Sequence, residues 1–550
     1  MKICWQCKEG FEVTNSDRLF LSEVSPVFGG VKFEVPEPMS CPPCRQRQRL
    51  AFRNLRSVYM RKCDLTGKPI LSTFDKDCAT PVYSAEAWWG DSWDGTSFGR
   101  DFDFSRSFFE QFAELYHMVP LLQNSVLLTE NCDYINGAAN CKDCYLCFNM
   151  DYCEKCYYIT ECKHMLSCVD CLSSNHCELC YECVCCESCY NLKYSQRCMS
   201  CHDSYFLADC KQCKNCIGCV NLVGKEYYVF NQEVPREQFE AFKLRLQNHE
   251  EVEKLKKEFA EFSLRFPKKY YHGYSNENFS GDRIQNIKNS YNCFSVSNLE
   301  NCKYCYYFFD SKNCMDQDVF GDNAEWMYNC ITSGLNSSNN LFCMFTWNSS
   351  SYNLYCHAMS GCSNNFGCSG LKRKKYCILN KQYTKEEYEA LVPRIIEHMK
   401  NTPYTGQAHA SACTEWGEFF PPSISLFRYN ETQSAEFHPL TKENALALGF
   451  RWKNLEEKIP DANRRDVAIC EATGRPFKMI AQELKFYSEQ KIPLPHFSSE
   501  ERHRRRNALQ NLPRIYDRAC AKCSTPIQTS YVPDKPEIVY CENCYLQEIY

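Results

Sequence analysis

Cys210-Lys211-Gln212-Cys213-Lys214-Asn215-Cys216-Ile217-Gly218-Cys219 puts a cysteine at every third residue. The spacing reaches back to Cys132: 21 cysteines lie between Cys132 and Cys219, and 20 of them fall on residue numbers divisible by three. Cys185 alone is out of phase. The longest unbroken run is Cys177, Cys180, Cys183, Cys186, Cys189, and the wider gaps (Cys156 to Cys162, Cys189 to Cys198, Cys201 to Cys210) keep the phase. A period of three is neither the alternation of a strand nor the 3.6 of a helix. It predicts a coil of short strands and turns whose lengths are multiples of three, with cysteines stacked from rung to rung. Asn131, Asn140 and Asn215 each precede an on-phase cysteine and are turn residues by type. Tyr145, Tyr157, Tyr181 and Tyr190 each follow one and predict an adjacent aromatic row.

The ladder closes with Gly218-Cys219, Leu222, Lys225, Tyr227 and Asn231. The same phrase recurs 149 residues later as Gly367-Cys368, Leu371, Lys374, Tyr376 and Asn380. A second coil therefore precedes the second phrase. In it Cys293, Cys302, Cys305 and Cys314 share a phase, as do Cys356, Cys362, Cys368 and Cys377, whereas Cys330 and Cys343 do not. This copy is poorer in cysteine and richer in Asn and Ser, so the coil survives without most of its thiols. That favours buried thiols used for packing over an iron–sulfur, multi-zinc or redox array. The bacterial ferredoxin pattern, with its fourth cysteine followed by proline, is not completed.

The two ends of the chain are copies of each other. At an offset of 457, residues 35–83 align with 492–540 without a gap, and 16 of the 49 positions are identical. Arg45, Arg47 and Arg49 match Arg502, Arg504 and Arg506, and Cys63 matches Cys520. Further upstream, Ile3-Cys4 resembles Ile469-Cys470. Complete ligand sets are divided between the copies. Cys4-x2-Cys7 and Cys41-x2-Cys44, with 33 residues between the pairs, stand at the front. Cys520-x2-Cys523 and Cys541-x2-Cys544, with 17 between, stand at the back. Four thiolates on two tight turns suit tetrahedral Zn2+, with no position left for water, so two structural zinc sites are expected. The competing reading of Cys41-Pro-Pro-Cys44 is a redox dithiol at a helix start. In the other two ribbons Thr66, Ser84 and Ala87, and Thr473, Ser498 and Glu501, replace ligands.

Between the ribbons, residues 45–62 lack Gly, Pro, Asp and Glu and predict a basic helix, with a counterpart from Glu500 limited by Pro513. Arg45, Arg47, Arg49 and Arg53, with Arg502, Arg504, Arg505 and Arg506, are the candidates for tracking the phosphates of RNA or DNA. The competing reading pairs them with acidic segments such as Asp91, Asp94, Asp101 and Asp103. The aromatic and acidic stretch that holds those aspartates, with a helix over Ser105–Leu115, predicts a plug over the open end of the next coil.

The expected fold is mainly β with α: two tandem cysteine-rich β-solenoid (β-helix-like) blocks with helical caps, flanked by zinc-ribbon and basic-helix units. The chain divides into a ribbon and basic helix (1–62), a degenerate ribbon (63–89), the aromatic cap (90–130), the first solenoid (131–231) and an amphipathic helix (232–267). The second solenoid (268–381), a helix and ordered connector (382–465), a degenerate ribbon (466–499) and a basic helix with ribbon (500–550) follow. No run of 18 apolar residues predicts a membrane span. The start, Met-Lys-Ile-Cys-Trp-Gln-Cys, shows no secretory signal, so a reducing cytoplasm is expected, where 43 cysteines are ligands or buried thiols. A net charge of −5 gives no overall basic field.

Four phrases carry a resemblance: Cys41-Pro-Pro-Cys44-Arg-Gln-Arg47, Gly99-Arg-Asp-Phe-Asp-Phe-Ser-Arg106, Tyr376-Cys-Ile-Leu-Asn-Lys-Gln-Tyr383 and Glu415-Trp-Gly-Glu-Phe-Phe-Pro421. On them the chain resembles an uncharacterised bacterial family of cysteine-rich zinc-ribbon proteins. The resemblance implies the architecture and no particular activity. The function expected is a non-catalytic zinc-binding scaffold for a macromolecular partner: nucleic acid or a ribonucleoprotein through the basic helices, or a protein through the solenoid faces. A redox or metal-cluster protein built on the ladder is the enzyme alternative.

Overall fold

The computed structural model describes residues 1–166, 169, 184–321, 324–326, 328–332, 334, 336–342, 344–404, 413–454 and 467–550. Cys177, Cys180, Cys183 and Tyr181 of the longest run, Cys343 and parts of the connector lie outside the described residues. Two stretches of β-solenoid rungs, from Val126 to Val229 and from Gly273 to Ile378, make up the centre of the chain. The helices are α1 (Asn15–Val24), α2 (Pro42–Leu50), α3 (Ala85–Trp89), α4 (Phe108–Met118), α5 (Arg236–Arg245), α6 (His249–Ser263) and α7 (Lys385–Asn401). They continue with α8 (Gln433–Phe437), α9 (Lys442–Ala447), α10 (Ala481–Gln490), α11 (Ser499–Asn507) and α12 (Glu542–Ile549).

The described rungs of the first stretch are twelve residues long, because parallel partners recur at that interval: Glu130 with Lys142, Lys142 with Glu154, Gln196 with Ala208 and Ala208 with Val220. The rung is built of triplets with three distinct roles. The first residue pairs with its neighbour a rung away. The second turns the corner with positive φ, as Asn131 (51°), Asn140 (54°), Asp143 (54°) and Asn215 (51°) do. The third points inward and is most often a cysteine, with Ile159, Leu192 and Leu207 among the exceptions. Asn and Asp tolerate the left-handed region better than other side chains, which accounts for their place before the cysteines.

The triplet also accounts for the cysteines. The pairing residue donates its N–H to one neighbouring rung (Lys142 N to Cys153 O, 2.9 Å), and the corner residue donates to the other (Asp143 N to Glu130 O, 3.0 Å). The inward residue's own N–H is left pointing into the core, and a buried N–H must find an acceptor. It finds the side chain one rung back: Cys144 N to Cys132 Sγ (3.4 Å), Cys201 N to Cys189 Sγ (3.4 Å) and Cys213 N to Cys201 Sγ (3.4 Å). Each thiol in turn donates to inward carbonyls, as Cys201 does to Met199 O (3.5 Å) and Cys210 O (3.4 Å). A small side chain that both accepts and donates therefore suits the inward position, although apolar residues such as Ile159, Leu192 and Leu207 also take it. Serine meets the same need at Ser195, Ser204, Ser290 and Ser350, which accept from Leu207, Cys216, Cys302 and Cys362. This is why the second stretch can replace thiols with Ser and Asn.

In the second stretch three rungs are one residue longer. The pairs Met315–Tyr328, Tyr328–Leu341 and Leu341–Leu354 are each thirteen apart. Every such rung advances the phase by one, and three of them restore it. Cys330, fully buried, is thus in place on its rung although out of phase in number.

The duplication holds element by element. Helices α2 and α11 start and stop at matching positions. So do the hairpins Tyr59–Lys62/Pro69–Ser72 and Tyr516–Ala519/Pro526–Thr529, and the strands Val82–Tyr83 and Val539–Tyr540. Upstream, the hairpin Lys2–Ile3/Gly10–Phe11 and α1 match Val467–Ile469/Pro476–Lys478 and α10. Each terminal unit bridges the two stretches of rungs. Val82–Tyr83 runs parallel to Leu121–Leu122 at the entry to the first, and Val539–Tyr540 runs parallel to Lys268–Lys269 at the entry to the second. The helices reach the opposite way: Arg45 of α2 binds Asp316 in the second stretch, and Arg502 of α11 stacks on Tyr158 in the first, 4.9 Å from its ring centre.

Several expectations are corrected. The basic helix ends at Leu50 instead of running to Lys62. There Asn54 holds a turn, accepting from Ser57 N (2.9 Å) and donating to Thr73 O (2.8 Å), and the chain is steered into the next hairpin. The aromatic segment packs on the last rungs of the second stretch, not on the entry to the first. Arg100 N bonds Leu379 O (3.1 Å), and a Cβ on Gly95 would meet Gly370 O at 2.7 Å. Its aspartates pair there too, Asp94 with Lys374 (2.8 Å) and Asp101 with Lys381 (2.5 Å), instead of with the arginines. The amphipathic stretch, expected as one helix or two, is two, α5 and α6; α5 begins after Pro235 and α6 is capped by the Asn248 side chain.

Candidate metal centres

Four hairpins carry the same tight knuckle, which folds the chain back over the first ligand position. In each, the N–H of Cys4, Cys63, Cys470 or Cys520 bonds the carbonyl five residues on (2.8, 2.8, 2.8 and 2.9 Å). The fifth residue of the turn then has positive φ: Lys8 66°, Gly67 71°, Gly474 67°, Ser524 61°. The third ligand position heads a helix in every copy, as Cys41 for α2, Ser84 for α3, Ser498 for α11 and Cys541 for α12. The positive end of a helix favours a thiolate there.

Two of the four sites hold complete tetrads. The sulfurs of Cys4, Cys7, Cys41 and Cys44 lie within 4.8 Å of one another, as do those of Cys520, Cys523, Cys541 and Cys544. Both sets can hold a metal ion. Cys7 Sγ to Cys41 Sγ and Cys523 Sγ to Cys541 Sγ are each 3.7 Å. A tetrahedral ion with metal–sulfur bonds of ~2.3 Å separates its sulfurs by ~3.8 Å, so the spacing fits a filled thiolate tetrahedron. Backbone donors aim at the first sulfur of each set, from Cys41 N (3.3 Å) and Cys541 N (3.2 Å).

The charge states point the same way. In the front tetrad, hydrogen bonds from Cys41 and Cys44 hold Cys4 far below the ordinary thiol range, and the Cys4 bond pushes Cys41 up to about 12. In the back tetrad the Thr525 hydroxyl leads in bringing Cys523 down to about 6, while burial, then Cys523 and Cys541, push Cys544 up to about 12. Each set holds at least one thiol lowered toward the thiolate, and filling the set with thiolates requires a cation to offset their mutual repulsion.

The two incomplete ribbons share two of their three replacements. Thr66 and Thr473 stand at the second ligand position and Ser84 and Ser498 at the third. Both serines cap their helices, accepting from Ala87 N (3.2 Å) and Glu501 N (3.3 Å), whereas Cys41 and Cys541 make no side-chain cap bond. Burial pushes the remaining Cys63 and Cys470 thiols up, but Thr66 or Thr473 and the surrounding amides outweigh it and bring each to about 7. The knuckle is therefore kept by hydrogen bonds where ligands were lost.

The ladder is different. Among the described residues, its thiols form no group of three with sulfurs mutually within 4.8 Å. Their donors go to inward carbonyls, as at Cys147, Cys210, Cys213 and Cys216.

The arginines read as phosphate contacts are mostly inside the protein. Arg45, Arg49, Arg53, Arg502 and Arg506 are 0–8% exposed. Arg45 meets Asp316 (2.6 Å), Arg49 meets Asp318 (2.7 Å), Arg53 meets Gln433 (2.7 Å) and Arg502 meets Glu483 (3.0 Å). Their partners Asp316 and Asp318 lie some 270 residues away (Arg45 and Asp316 are 271 apart), a separation that no local pattern reveals. Arg47 is bound to Gln6 (2.7 Å) and touches Cys44 Sγ (3.5 Å). Arg504 and Arg505 reach the surface but both close on Glu501 (2.7 and 2.8 Å). Among the described residues no helix is long and apolar enough to cross a membrane.

A scan of protein-family models finds none that matches the chain, and a search of curated proteins finds no match.

Proposed function

We propose that the protein is a non-catalytic scaffold in which two structural zinc ions fasten the terminal units across a β-solenoid that serves a macromolecular partner. The observation that carries this reading is the pair of closed four-cysteine sets, each within a unit that contacts both stretches of rungs. Four thiolates leave a zinc ion no position for a substrate or an activated water, so its contribution is to folding. The helical segments at the ends of the rungs, α4 with the aromatic segment and α5 with α6, act as caps that cover rung edges.

A protein partner is favoured over nucleic acid. Phosphate binding needs accessible cations, and five of the eight candidate arginines are buried. The test is cobalt substitution with and without Cys41→Ser and Cys541→Ser. Each tetrad should give the intense visible bands of a four-thiolate cobalt centre, and each variant should remove one centre. Wild-type protein lacking those bands would refute the metal part. Salt-sensitive RNA or DNA retention that Arg504→Glu and Arg505→Glu abolish would refute the preference for protein.

A further inference from the structure

Beside the incomplete leading ribbon of the C-terminal unit, three other ligand-type side chains converge. Atoms of His249, Glu471 and His496 lie within 4.8 Å of one another. His249 opens α6, the helix between the two stretches of rungs, whereas Glu471 and His496 belong to the ribbon. The imidazoles lie face to face, centroids 3.5 Å apart and 10° from parallel, and His496 Nδ1 meets a Glu471 oxygen at 2.5 Å.

The duplicated unit gives a direct comparison. Glu471 N bonds His496 O (3.0 Å), and the same bond in the front unit joins Trp5 N to Met39 O (3.2 Å). The front unit keeps its four thiolates and has apolar residues at these two places. The back unit has lost three of its leading thiolates, to Thr473, Ser498 and Glu501, and carries a carboxylate and an imidazole at the matching places. The partner helix supplies the second imidazole. A backbone bond common to both copies therefore holds Glu471 and His496 side by side, whatever their side chains do.

We propose that His249, Glu471 and His496 form a third, exchangeable metal site for a borderline divalent ion of the zinc, cobalt or nickel class, tying α6 to the C-terminal unit. Two imidazoles and one carboxylate suit such ions better than hard calcium or magnesium, which take oxygen ligands. Three protein ligands leave the remaining positions to water, so this site exchanges where the tetrads do not. Burial, then His496, lowers the His249 pKa, which favours the neutral ring that a metal needs. Glu253, one helical turn on from His249, adds negative charge. Binding requires the two rings to swing out of their stack, because parallel ring planes cannot both aim lone pairs at one ion. His496 is 40% exposed and has room to turn.

The inference does not depend on the tetrads being filled. The experiment is a Co2+ titration of the full chain near neutral pH, followed in the visible and near ultraviolet. The expected result is one equivalent beyond the four-thiolate centres, with weak nitrogen–oxygen bands and no thiolate charge transfer. His249→Ala and His496→Ala should each lose that equivalent while the four-thiolate bands persist, showing that the units stay folded. A merely structural ring stack would lower thermal stability in these variants without changing stoichiometry. No further equivalent in the wild type, one that survives both variants, or one with thiolate bands would overturn the proposal. The weak bands without the four-thiolate ones would instead refute the zinc scaffold and leave this site standing.

Discussion

Cys201 is fully buried: it accepts from Cys213 N at 3.4 Å, and its single S–H has Met199 O and Cys210 O within reach at 3.5 and 3.4 Å. Cys201→Ala strands the Cys213 amide in the core, at a cost of ~1–3 kcal/mol. The missing sulfur leaves a gap worth ~1 kcal/mol more. The sum, ~2–4 kcal/mol, corresponds to roughly thirty- to thousandfold faster hydrogen exchange at that amide. Cys201→Ser keeps donor and acceptor, as Ser195 and Ser204 do on the same stretch, and should cost at most ~1 kcal/mol. Cys201→Val fills the space but accepts nothing, so it should keep the ~1–3 kcal/mol cost of the stranded amide. The assay is amide exchange under reducing conditions, read at Cys213 and its neighbours. If the thiols were only small hydrophobes the order would invert, with valine and alanine tolerated and serine, more costly to bury, the worst. That order would refute the triplet account.

Three further outcomes follow from the same contacts. Asp316→Ala leaves Arg45 without its carboxylate (2.6 Å) and should destabilise the protein by ~3–5 kcal/mol in denaturant titration, whereas exposed Glu110→Ala should change little. Burial pushes the Glu418 carboxyl up from 4.5 to about 7, with Arg45 and the Met39 amide opposing. Between those values the folded state holds more protons than the unfolded chain, so wild-type stability falls as pH rises through that window. Glu418→Gln should therefore gain on the wild type by ~1–3 kcal/mol between about pH 4.5 and pH 7.5, as thermal melts at the two pH values would show. Finally, Thr473→Cys, Ser498→Cys and Glu501→Cys together should rebuild a thiolate tetrad around Cys470, because the knuckle there is intact. Cobalt titration of this triple variant should give one more four-thiolate centre.

The sequence exposed the fold where a rule repeats locally. The three-residue phase of the ladder gives the inward column directly, and the offset of 457 matches helix and strand boundaries to the residue. Cys330 was opaque for a physical reason: a rung can grow by one residue at a corner without disturbing its neighbours, so phase along the chain and phase in space part company. The tetrads were legible because two knuckles at known spacing suffice to gather four sulfurs. The arginines were not. Arg45 and Arg49 look like contacts for phosphate, and only folding brings Asp316 and Asp318 against them. Ser84 and Ser498 looked like plain losses, yet each caps the helix that its cysteine counterpart leaves uncapped.

The account rests on a division of labour among cysteines, with metal at the chain ends and hydrogen-bonded thiols in the ladder. Elemental analysis of protein purified without oxygen and dialysed against a weak chelator tests it most directly. The result predicted is two zinc ions per chain, one for each tetrad, and no iron. Iron in stoichiometric amount, zinc well above two, or no bound metal at all would contradict it.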